Sequence, residues 1–109
     1  VYSPPPTTHA PSGTTVTIDF DVSAAHVLDL GSASGNVTVT LSNLRSGSAM
    51  SLLVIQGATA RTITFSHAGF SLKWIGGAPT LSTGNDDEDL LGFVVLGTVI
   101  YGSYLLDFA

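Results

Sequence analysis

Apolar residues in this chain return at every second position, and a period of two admits strands and little else. In TVTIDFDV (residues 15–22), Val16, Ile18, Phe20 and Val22 share one face, while Thr17, Asp19 and Asp21 take the other. NVTVTLSN (residues 36–43) sets Val37, Val39 and Leu41 against Thr38, Thr40 and Ser42, and RTITF (residues 61–65) sets Ile63 and Phe65 against Thr62 and Thr64. The runs are rich in β-branched residues, which pack well on a pleated surface, and Gly, Ser and Asn bound them. No helical period with caps extends over ten residues. The pattern predicts an all-β chain of about eight short strands, arranged as a small antiparallel β-sandwich or jelly-roll-like domain.

Two segments are apolar in both registers. In MSLLVIQG (residues 50–57), Met50, Leu52 and Val54 face one way and Leu53 and Ile55 the other. In LLGFVVLGTVIYGSYLLDF (residues 90–108), Leu90, Val94, Leu96 and Ile100 oppose Leu91, Phe93, Val95, Val99 and Tyr101. Strands buried on both faces need a second covering layer. The chain has 109 residues, enough for one compact core with little left over, so the expected cover is another copy of the chain. The first 13 residues, VYSPPPTTHAPSG, hold four of the five prolines and no apolar period; they read as an extended linker or arm leading into a domain over residues 14–109. The chain begins at Val1 rather than Met, and is expected to be part of a longer protein.

Composition narrows the function. The chain is 44% hydrophobic and 10% charged, which excludes a disordered segment. Its formal net charge is −5, and its three basic residues, Arg45, Arg61 and Lys73, cannot track a phosphate backbone. There is no cysteine, so no disulfide or thiolate chemistry is open to it. Mean hydropathy is +0.42, yet the apolar runs are too short for a membrane-spanning helix.

Candidate sites are few. Asp86, Asp87, Glu88 and Asp89 crowd together, but adjacent carboxylates diverge, whereas a calcium loop spaces its oxygens at alternate positions. His9, His26 and His67 show no metal-binding spacing. GSASG (residues 31–35) puts Ala33 where a nucleophile elbow needs Ser. Asp19, Asp21, Asp29 and Asp107 could supply a carboxylate pair, but nothing in their setting raises a pKa. No enzyme activity, metal or cofactor is therefore expected. Aromatic rings give sugars a flat apolar contact and acidic or amide groups bond hydroxyls. The candidate ligand-binding residues are accordingly Trp74, Phe70, Asn85, Asp86, Asp87, Tyr101 and Tyr104.

The stretch KWIGGAPTLST (residues 73–83) resembles the Lys-Trp-Pro-Gly-Gly…Pro-Thr-Leu-Thr corner of C-terminal domains in bacteriophage tail-fibre and minor tail proteins. Asp89 stands where those domains open an apolar strand, and Tyr101-Gly102 where their hairpin ends. GNVTVTLSN (residues 35–43), LVIQ (residues 53–56) and RTITF extend the likeness over residues 15–108. Ile75 replaces the usual Pro, and LGTV (residues 96–99) lacks the usual Asp-Gly turn. Similar modules tip phage-derived fibres on bacterial surfaces. The resemblance implies an extracellular, homotrimeric fibre tip without catalysis, on a virion tail fibre or a bacterial surface fibre, recognising a cell-surface glycan or other envelope receptor. A domain that only trimerises or caps the fibre is the alternative, and a polysaccharide-degrading enzyme ranks behind both. Residues 73–83 then read as scaffold, and Asn85, Asp86, Asp87 and Glu88 fall outside the recurring pattern.

Overall fold

The computed structural model describes residues 6–21 and 24–108. It is all-β, with nine strands among the described residues: β1 (Thr7–His9), β2 (Thr15–Asp19), β3 (Ala25–Asp29), β4 (Val37–Ser42), β5 (Ala49–Ile55), β6 (Ile63–Ser66), β7 (Ser71–Trp74), β8 (Glu88–Leu96) and β9 (Val99–Phe108). Strands alternate between two sheets from β1 to β6. The larger sheet has the order β1-β3-β5-β8-β9-β7, and the smaller one β2-β4-β6.

This arrangement corrects the antiparallel sandwich. β1, β3 and β5 run parallel, as do β2, β4 and β6, so each pair of successive strands makes one coil of a β-solenoid-like stack. An antiparallel neighbour can be reached by a tight turn, whereas a parallel one needs a long crossover. Here the crossover to each parallel partner is the intervening strand of the opposite sheet. Among the described residues only β8 and β9, joined through Gly97 and Thr98, form a hairpin with a two-residue connection. Gly97 takes φ +62°, the left-handed conformation that such a turn requires. β8 runs antiparallel to β5 and closes that end of the stack, while β7 lies parallel to β9 at the sheet's far edge.

The segment read from its prolines as an arm divides. Residues 1–5 lie outside the described residues, whereas Thr7, Thr8 and His9 pair with His26, Val27 and Leu28 as an edge strand.

The inward faces follow the alternation. Ile18, Leu28, Val39, Leu52, Val54, Val95 and Ile100 are fully buried between the sheets. Removing them from water is the main force holding the sheets together, at about 25 cal/mol per Å² of apolar surface. Corners stack as closely as the strands do. Gln56 is buried, its amide donating to the Arg61 carbonyl (2.8 Å) and its carbonyl oxygen accepting from the Arg61 N–H (3.0 Å), which ties the corner between β5 and β6. One coil over, the Asn36 side-chain oxygen accepts from the Thr62 N–H at 3.0 Å. At Gly57 an added Cβ would lie 2.6 Å from the Gly31 Cα. Gly57→Ala is therefore expected to force two corners apart and lower stability by about 1–3 kcal/mol in urea unfolding, with Gly13→Ala, where an added Cβ meets nothing and the backbone is not left-handed, as the comparison.

The two outward faces differ in chemistry. On the smaller sheet, Thr15, Thr38 and Thr64 form one cross-strand row, and Thr17, Thr40 and Ser66 the next. On the larger sheet, Val27, Leu53, Leu90 and Leu105 are in register across four strands. A parallel row holds Ala25, Ser51, Gly92 and Ser103, and a third holds Ala49, Val94 and Tyr101 with Lys73. One face is a hydroxyl surface suited to water. The other has two apolar ridges with a trough of small residues between them.

Candidate functional site

The structure separates the seven residues singled out from the sequence. Trp74 and Tyr104 belong to an aromatic cluster on the inner side of the larger sheet. The Trp74 ring lies 5.5 Å from Phe93, 6.0 Å from Phe65 and 6.0 Å from Tyr104, centroid to centroid, in tilted or edge-to-face contact. Gly102 leaves room for it, since a Cβ there would stand 2.5 Å from Trp74 Cε3. Phe70 is half-buried against the same core, in a turn where its carbonyl accepts from His67 Nδ1 at 3.0 Å. Tyr101, one strand-face away from Tyr104, points outward with Val94 and is 47% exposed.

Asn85 and Asp86, both exposed, and the half-buried Asp87 form a loop fastened to the corner at Gln56. The Asp86 N–H donates to the Gln56 carbonyl and the Gln56 N–H to the Asp87 carbonyl, each at 3.0 Å. Asp86 adopts φ +64°, and the Asp87 carboxylate accepts from the Gly84 N–H at 2.8 Å. Asp89 is fully buried and accepts from both the Ser82 N–H and its hydroxyl at 2.7 Å. The acidic run thus splits into a turn closure at Asp87 and a loop anchor at Asp89. Among the described residues, no three His, Asp or Glu side chains gather as a metal site would need. Two other carboxylates also serve turns: Asp29 accepts from the Gly31 N–H, and Asp19 from the Asp21 N–H and the Asn43 amide. Those bonds, Asn43 first, hold the Asp19 carboxyl below its ordinary pKa.

Two histidines distant in sequence meet in space. His9 Nε2 stands 3.0 Å from His26 Nδ1, and the rings stack at 5.2 Å between centroids. The β1–β3 register produces the contact, which no spacing rule for metal ligands anticipates. One nitrogen of the pair must donate and the other accept, so the contact excludes protonation of both. Burial, and then the charge His26 would carry, lower the His9 pKa. A lowered histidine pKa contributes stability that is full above about pH 6.5 and lost as pH falls through the folded value. As pH falls below about 6.5, amide protection, referred to the intrinsic exchange rate at each pH, is expected to fall in β1 before the other strands, and His9→Gln to remove that dependence.

A concavity lies where the sheets end unequally. The smaller sheet stops at β6, while the larger continues through β8, β9 and β7. A hollow of about 230 Å³ opens there, lined by Ile63, Phe65, Leu72, Trp74, Pro79 and Leu81 among others. An adjoining hollow of about 260 Å³ shares Ile63, Pro79 and Leu81 and adds Arg61, Thr80 and Thr83. No family model, curated protein or solved structure matches this chain.

The sequence reading passed over Arg61, Thr80 and Thr83, because a gap between an edge strand and a returning loop has no linear motif. It also left Leu53, Leu90 and Leu105 as separate apolar residues. Their alignment into one ridge depends on register.

Proposed function

We propose that this domain is the non-catalytic tip of a homotrimeric fibre, extracellular on a virion or a bacterial surface, where it recognises a cell-surface glycan. The observation that carries the assembly half is the contrast between the two outward sheet faces. Threonine and serine cover one, whereas Val27, Leu53, Leu90, Val94, Tyr101 and Leu105 stand in ordered rows on the other. Val94, Tyr101 and Leu105 are exposed and Val27, Leu53 and Leu90 half-buried, and contiguous apolar rows of this kind mark contact surfaces. The resemblance to phage fibre tips supplies the number of copies and the class of receptor. Three copies on one axis would raise a weak single-site affinity through avidity.

A structural cap that binds nothing is the second reading. It is favoured by the β8–β9 hairpin and β7, which close one end of the coil stack. Light scattering tests the assembly and a glycan array with whole-cell binding tests recognition. Three-chain mass with reproducible glycan binding supports the tip, and the same mass without binding across broad panels supports the cap. A single-chain mass overturns the assembly in both readings.

A further inference from the structure

We infer that the trough between β6 and residues 78–83 binds a carboxylate-bearing glycan, which rests on the glycan reading above and gives it a place and a charge. β6 is the last strand of the smaller sheet and pairs only with β4 among the described residues, so one of its edges is open. Opposite that edge, residues 78–83 run without forming a strand and are tied to β8 through Ser82 and Asp89. The gap left where a fourth strand would have lain is the pair of joined hollows, running beside residues 61–65. Five residues of strand span roughly 16 Å, on the order of two to three linked sugar rings.

The lining has the two-part chemistry that sugars require. Its floor is apolar, made by Ile63, Phe65, Trp74 and Leu81, against which the C–H faces of a pyranose can pack. Its rim carries hydroxyls from Thr62, Thr64, Thr80 and Thr83, all exposed. The chain has eight acidic residues, yet none lines the trough, and the one cation there is Arg61. The Arg61 guanidinium gives one hydrogen bond, to the Ala33 carbonyl at 3.1 Å, and makes no ion pair among the described residues. A guanidinium in a carboxylate-free trough of an otherwise acidic protein complements an anionic sugar. A carboxylate matches its planar fork better than a hydroxyl does.

The test titrates the intact protein with trigalacturonate and with its methyl ester, the same sugar without the charge, following backbone amide shifts. Saturable binding of the acid is expected, with shifts concentrated at residues 61–65 and 78–83. The ester should bind at least about tenfold more weakly, the scale of one charge-assisted hydrogen bond. Thr80→Glu, an exposed substitution that leaves the core untouched, should weaken the acid by a similar factor, whereas Thr17→Glu on the smaller sheet's outer face should not. Equal binding of acid and ester, shifts centred elsewhere, or no saturable binding of the acid overturns the proposal. Neutral glycans binding at residues 84–87 would overturn the trough and leave the receptor reading standing; a blank glycan array with three-chain mass would overturn that reading itself.

Discussion

Phe93→Ala is expected to lower the stability of the domain by about 3–5 kcal/mol, a large part of what a chain this size has to lose. Phe93 is 1% exposed and sits on β8, between Met50 of β5 and Gly102 of β9. Its ring meets Phe65 at 5.4 Å and Trp74 at 5.5 Å, both edge-on. That position joins two bodies of packing: the inter-sheet core, and the aromatic cluster that covers the larger sheet where the smaller has ended. An alanine there leaves a cavity under both. The surroundings cannot collapse into it, because hydrogen-bonded strands flank it on each side. Equilibrium urea unfolding measures the effect, with Thr40→Ala on the hydroxyl face expected to change stability by about 0.5 kcal/mol or less. Equal losses from the two substitutions would show that Phe93 does not join the two bodies.

The alternation of residues made the faces legible in the sequence but not the partners. Ile18, Val39 and Leu52 point inward as a period of two requires, and Thr17 and Thr40 outward. A strand looks the same to this test whether its neighbour is parallel or antiparallel, because side chains alternate in both. The sandwich expectation rested on joining successive strands into neighbours. In the structure the corners between β1 and β6 carry the chain to the opposite sheet instead. A trace of this was present in the sequence: Thr-Val-Thr occurs at residues 15–17 and again at 38–40, and those segments stack in register. The two-residue turn at Gly97 belongs to the β8–β9 hairpin. Long-range coincidences were not legible. His9 finds His26 only through a strand hidden in the proline-rich lead-in, and Arg61 reaches the trough only because residues 78–83 fold back beside it. The aromatics were visible as residue types, but their division into packed Trp74 and exposed Tyr101 depends on which face of β7 and β9 each occupies.

Leu53→Lys combined with Leu90→Lys is expected to convert the proposed trimer to single chains while leaving the fold in place. The two leucines are cross-strand partners at the centre of the outward ridge, with Val27 on one side and Leu105 on the other. Their side chains point away from the inter-sheet core, so an ammonium at either position stays hydrated in a lone chain. Lysine stems can lie along the ridge with their charges in water. Between copies the same groups would be desolvated beside like charges from the neighbouring chain, and a buried charge left unpaired costs about 3–5 kcal/mol. The small row at Ala25, Ser51, Gly92 and Ser103 makes the face sensitive in a second way. Close approach of a partner depends on that trough staying shallow and uncharged, so Ser103→Arg should weaken assembly as well. Thr40→Lys on the opposite sheet places equal charge on the hydroxyl face and should leave the mass unchanged. Light scattering with circular dichroism separates the outcomes. Single-chain mass with an unchanged β spectrum in the double variant, against three-chain mass in the parent and in Thr40→Lys, assigns the larger sheet's outer face to assembly. Three-chain mass retained in the double variant removes that face from the interface.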